Sequence, residues 1–243
     1  MMDFPKIQCP FVRKLFNFRG DPKDYAKYHI RPGQKTVYLV TNEINGDYGW
    51  VFDDPDTIAT EKLDGTNVKV KIEGNRIAEV KNRVNTIDLL AIVTGRQHFA
   101  EGVLHSVGKG YFHGDGEHAG ELVGPKVQGN PYDLILHEFY PFEKAIGELR
   151  YKSFDKYEKN FVNFESWFKD YLRSLFHAKR HKIEIKDAVF AEGVVFHNLK
   201  RKANGQTHMA KLRRDMYRWW YDRLDIDQEP IEMTLESAKT DLN

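Results

Sequence analysis

The chain has 243 residues, 41% of them hydrophobic and 30% charged, with a formal net charge of +1. That length supports one substantial core or two small ones, and the near-neutral balance excludes a global basic field. A single cysteine, Cys9, excludes an intrachain disulfide and a cysteine-rich zinc site.

The longest uninterrupted apolar run, residues 89–93, is far short of a membrane span. The first residues lack the charged-then-apolar order of a signal peptide, so a reducing, intracellular, cytoplasmic setting is expected. Cations concentrate locally in the last third, at 178–182, 200–202 and 211–214; such runs are usually solvated faces.

Residues 1–56 carry scattered Pro, Gly and Asp with short apolar pieces such as TVYLVTNEI. They read as an irregular N-terminal segment with one or two strands, packed on a main domain of residues 57–243. From Thr57 the period changes to two. Val68, Val70 and Ile72 alternate with Lys69 and Lys71, the pattern of a half-buried strand. EGNR (73–76) is a turn, and IAEVK returns as its hairpin partner. HAGELVG (118–124) and DLILHEFY (133–140) read as two more strands.

Phe154, Tyr157, Phe161, Phe164, Phe168, Tyr171 and Leu175 then fall at steps of three and four, which predicts one amphipathic helix of some six turns. Strands are expected at 188–198 and 207–212. A short helix is expected at RRDMYRWWYDRL, and a short helical tail at the end. The class is α+β, an antiparallel-sheet domain with inserted helices.

Lys62 stands two residues ahead of Asp64-Gly65-Thr66-Asn67, directly after a strand. Alone, Lys-x-Asp-Gly is a weak signal. Further chemistry-bearing residues follow in order: Arg83 in VKNRVNTI, Glu121 in AGELVGP, the aromatic strand ILHEFY, Glu192 in AEGVVF, and Lys211 with Arg213 in AKLRRDMY. FHGDGEH (112–118) suggests metal ligands, but a Gly-punctuated loop of that kind is ordinarily solvated.

The ordered series resembles the covalent nucleotidyltransferases: DNA ligases, RNA ligases and mRNA capping enzymes. KLDGTN, RVN, GELVG, EGVVF and KLRRDMY match their successive motifs over residues 57–217. Asn67 and GELVGPKVQG are most similar to the phage-type and RNA-editing RNA ligases, whereas Asp64, where that branch often has histidine, is the DNA-ligase-like choice.

The resemblance implies an ATP-grasp-like adenylation domain that uses ATP and Mg²⁺ or Mn²⁺. Too few residues follow the fifth motif for the separate OB-fold domain that DNA ligases and capping enzymes carry. It implies RNA ends as partner, at a nick or free, with nicked DNA or a catalytically silent nucleic-acid-binding module as alternatives. Lys62 would become a lysyl-adenylate. A solvated lysine, with a pKa near ~10.4, is protonated at neutral pH, and burial or neighbouring cations lower that value.

Asp64 and Asn67 would bond the ribose or the backbone beside Gly65, whose missing Cβ permits a sharp turn. Arg83 would contact a phosphate, and Glu121 a ribose hydroxyl. Glu192 would be the metal ligand, while Lys211 and Arg213 would neutralise phosphate charge. His137 or Phe139 would stack on the purine, and Glu61 would lie near the adenine. The predicted helix 153–177 and the basic residues Lys179, Arg180 and Lys182 are expected to grip the polynucleotide.

Overall fold

The period-two segments form three antiparallel sheets in a computed structural model that describes residues 7–89, 95–203 and 206–231. The first sheet has the order β10-β1-β2, from Asp225–Ile226, Phe11–Arg19 and Thr36–Ile44. The second is β3-β8-β9, from Thr57–Lys62, Gly193–Ala203 and Gln206–Arg213. The third is β5-β4-β6-β7, from Arg76–Lys81, Thr66–Glu73, Gly116–Val123 and Glu138–Pro141. The expected mixture of helices with antiparallel sheet is therefore present. The apolar run beyond Leu89 and the expected C-terminal helix lie outside the described residues.

The third sheet shows how alternation becomes a core. Val68, Val70 and Ile72 are buried on one face with Val80, Leu122 and Phe139. Helix α2, Gln97–Gly108, covers that face with Phe99 and Val103. The turn joining β4 to β5 holds Gly74 and Asn75 at φ 55° and 62°, the left-handed pair that a two-residue hairpin requires. Asp115 accepts hydrogen bonds from both of their amides, at 2.8 and 3.2 Å. The Gly-rich loop thus clasps a hairpin.

Helical order departs from the periodicity. The single helix expected over 154–175 is broken into a 3₁₀ turn at Phe154–Lys156, α4 at Phe161–Ser166 and a π-helical turn at Trp167–Tyr171. After a gap comes α5 at Leu175–His181. Phe154, Phe164 and Phe168 are buried as the stripe requires, whereas Tyr157 and Tyr171 are exposed. Side-chain caps compete with continuation: Asn160 accepts from the Asn163 amide and Ser174 from the His177 amide, both at 2.9 Å.

Three further boundaries move. The strand expected at 133–140 begins only at Glu138, because Asp133 is left-handed at φ 49°. In addition, Asn130 bonds both the amide and the carbonyl of Leu134. The strand expected from Ala188 begins at Gly193. RRDMYRWWYDRL forms two 3₁₀ turns, Arg214–Met216 and Arg218–Tyr221.

Residues 7–56 are more regular than their composition suggests, with two nine-residue strands. Phe11, Val40 and Trp50, with Val51 from the short helix α1 (Trp50–Asp53), enter the same core as Ala59, Phe164, Phe196 and Leu212. Helix α3, Phe142–Glu148, follows β7 and packs Ala145 near Leu63 and Tyr140.

Candidate active site

Lys62, Gly193 and Arg213 lie opposite one another across the three strands of the second sheet, and Thr60, Val195 and Lys211 form the rung two residues away. Period two therefore puts Lys62, Lys211 and Arg213 on one face. The middle position has no side chain. A Cβ on Gly193 would lie 2.2 Å from the Leu212 carbonyl oxygen.

Glu192 precedes this rung and binds both ends of it. Lys62 Nζ donates to Glu192 Oε2 at 2.5 Å, and Arg213 Nη1 is 3.7 Å from Oε1. The Lys62 and Glu192 side chains are 20% and 19% exposed, sheltered and not in bulk water. Asp215 holds the other side of Arg213, 3.0 Å from Nη2. Arg213 stands out in the sequence pattern, whereas Asp215, two residues on, reads there as part of a helix.

Across from this rung, the third sheet contributes Asn67 and Glu121, paired directly on β4 and β6. Asn67 Nδ2 donates to Glu121 Oε2, while Arg83 Nε and Nη2 donate to Asn67 Oδ1 at 3.2 and 3.0 Å. Arg83 is in the loop after β5. The Asn82 side chain shapes that loop by accepting from the amides of Val84 and Asn85.

Burial pushes the Glu121 carboxyl up to about 7, against the opposing pull of Lys62 and the Asn67 hydrogen bond. Burial and then the cations Lys62, Arg213 and Arg83 hold Lys211 below the ordinary lysine value. The two sheets thus face each other closely enough for their charges to interact.

The turn between them, Leu63 to Gly65, needs close approach. A Cβ on Gly65 would stand 2.5 Å from the Leu122 carbonyl oxygen and 2.6 Å from Glu121 Cγ. The Asp64 amide donates to the Tyr132 hydroxyl at 2.7 Å. Burial, then repulsion from Glu192, raises the Asp64 carboxyl to about 6. Tyr132 comes from the turn-rich PKVQGNPY segment, whose composition gave no sign of a buried anchor.

Three expected residues stand apart. Glu61 alternates to the opposite face of β3 from Lys62, where both its oxygens are used: Ser174 Oγ donates at 2.6 Å and the Phe176 amide at 2.8 Å. Phe139 pairs with Leu122 and stacks on Phe112 in the α2-side core, the face opposite Glu121. His137 is bound to Glu101 of α2 at 2.8 Å and accepts from the Lys126 amide. None of the three is free to meet a base beside Lys62.

Two of the three basic residues expected to grip a polynucleotide are ion-paired. Lys179 pairs with Glu148 at 3.2 Å, and Arg180 binds both oxygens of Glu138.

Among the described residues, no group of three His, Cys, Asp or Glu side chains could enclose a metal ion. Glu192, a partly exposed carboxylate, offers the single oxygen-donor type that Mg²⁺ or Mn²⁺ accepts when phosphates and waters complete its shell. Among those residues, too, no helix is long and apolar enough to cross a membrane.

No family model and no curated protein matches the chain. Among solved structures it is similar to the RNA ligase of Naegleria gruberi. A ligand-free lysine-to-alanine variant of that enzyme is 19% identical with a TM-score of 0.39, over 65% of this chain and 49% of that one. A glutamate-to-alanine variant with ATP and Mn is 20% identical with a TM-score of 0.38, over 65% and 49%. Another lysine variant with ATP and Mn is 16% identical with a TM-score of 0.42, over 86% and 61%. The chain spans about half the length of the first two.

Proposed function

We propose that the chain is an ATP-dependent polynucleotide ligase that works through a lysyl-AMP intermediate at Lys62 and joins RNA ends. The observation that supports this best is the rung Lys62–Gly193–Arg213, with Glu192 touching both cations and Glu121, Asn67 and Arg83 facing it.

In the first step the Lys62 nitrogen attacks the α-phosphorus of ATP. A P–N bond forms, the bond to pyrophosphate breaks, and the amine proton is released. A 5′-phosphate oxygen then attacks the same phosphorus and displaces Lys62. Finally a 3′-hydroxyl attacks the 5′-phosphate and AMP leaves. Lys211 and Arg213 would neutralise charge on the phosphates. Glu121, aligned by the Arg83–Asn67 pair, would accept a ribose hydroxyl. Glu192 would hold the divalent cation, which supplies positive charge beside the triphosphate when bound.

The glycine at 193 matters to this reading, because a triphosphate lying between Lys62 and Arg213 meets no intervening side chain. RNA is favoured as substrate by the resemblance of Asn67 and GELVGPKVQG to the RNA ligase branch.

The test is incubation with α-labelled ATP and Mg²⁺. Label is expected to stay with the denatured protein and to be absent from Lys62→Ala. GTP in place of ATP, and nicked DNA in place of nicked RNA, are expected to be poor substitutes. A wild-type chain that never takes up label, yet binds RNA in a salt-sensitive way, would make it a binding module.

A further inference from the structure

We propose that a cleft outside the Lys62 centre, between the π-helical turn and the pair Trp219–Trp220, seats a nucleobase of single-stranded polynucleotide. This deepens the ligase reading and rests on it for the identity of the ligand. The cleft has a volume of about 330 Å³, at the small end for ligand pockets (about 300–1,000 Å³). Lys169, Arg214, Trp219 and Trp220 line it together with Lys27 and the carboxylates Asp170 and Asp222.

The turn is built for this opening. Leu172 N bonds the carbonyl of Trp167, five residues back, at 2.8 Å, so the Phe168 carbonyl loses the partner an α-helix would provide. Arg214 takes it: Nε donates to Phe168 O at 2.9 Å and Nη2 to Lys169 O at 3.4 Å. The wider turn leaves Lys169 and Asp170 exposed at the rim. The Arg214 guanidinium also lies 4.0 Å from the Phe190 ring centre and 5.2 Å from each of the Trp219 and Trp220 rings. A cation fixed between aromatic faces, with a lysine at the rim, suits a flat base joined to a phosphate.

Position favours a strand over a mononucleotide. Arg213 turns toward Glu192 and Lys62, while its neighbour Arg214 turns to the other side, onto Phe168. A polynucleotide can engage both sides at once; a single nucleotide bound to Lys62 cannot. Lys27, also at the cleft, is already paired with Asp222 at 2.7 Å, which leaves Lys169 as the residue to meet a phosphate.

Fluorescence anisotropy with a labelled, 5′-phosphorylated single-stranded RNA oligomer tests the proposal. Lys169→Glu and Trp220→Leu are expected to bind about tenfold more weakly than wild type, while taking up AMP from labelled ATP at the wild-type rate. An oligomer lacking its bases should lose about tenfold on wild type and nothing further on Trp220→Leu.

Wild-type binding by both variants overturns the proposal, as does loss of AMP uptake in step with binding. Weaker binding of free ATP by Trp220→Leu than by wild type overturns it too, by assigning the cleft to a mononucleotide. If wild type takes up no AMP but the binding pattern holds, the cleft stands and the ligase reading falls.

Discussion

Glu61 and Lys62 are neighbours in sequence and point to opposite faces of β3. Glu61 is buried, and burial raises its carboxyl to about 7 although Ser174 and the Phe176 amide both donate to it. It therefore holds its proton more tightly in the folded than in the unfolded chain, where the ordinary value is 4.5. The stability this contributes is fully present below the unfolded value, declines as pH rises from about 4.5, and is gone above about 7. Glu61→Gln, which has no proton to lose, is expected to flatten the fall of melting temperature across that interval. Paired melting curves at pH 4.5, 6 and 7.5 measure it, and an unchanged slope would remove Glu61 from the pH response.

At the scale of elements, the rung of the second sheet depends on a missing side chain. Gly193→Ala forces a methyl group onto the Leu212 carbonyl and the Arg213 Cα, 2.2 and 2.8 Å away. The expected loss is about 1–3 kcal/mol in urea unfolding, with β8 and β9 pushed apart and AMP uptake reduced.

The strand TNVKVKI was legible because it alternates, with Val68, Val70 and Ile72 on one face whatever the tertiary context. Faces were not legible where a strand is short. HEFY reads equally well with Phe139 toward or away from the cleft, and only its pairing with Leu122 decides. Glu61 was placed near the nucleotide by resemblance, while its real partners come from Ser174 and Phe176, over a hundred residues away. The helix 154–175 failed for a different reason. Periodicity marks Phe154, Phe164 and Phe168 as buried, but the caps at Asn160 and Ser174 decide where the chain breaks.

Taken as a whole, the molecule joins its first sheet to its second through aromatic packing. Phe11 on β1 meets Phe52, Phe161 and Phe164 edge-on, with ring centres 5.1–5.9 Å apart. It is 2% exposed and belongs to the core that also holds β8 and β9. Phe11→Ala is expected to cost about 3–5 kcal/mol and to lower the unfolding midpoint of the active-site strands together with that of β1. Hydrogen exchange at β8 and β9 amides checks this, and a loss of protection confined to β1 and β2 would show that the sheets unfold separately.

The pairing of β3 with β8 also bears on when the Lys62 site is assembled during synthesis. Lys62 leaves the ribosome long before Glu192 and Arg213, yet it depends on both. Up to that moment Lys62 is a solvated lysine with nothing to aim it, and closing so long a loop is slow. The site is therefore completed late, once the last strand of that sheet has zipped into place.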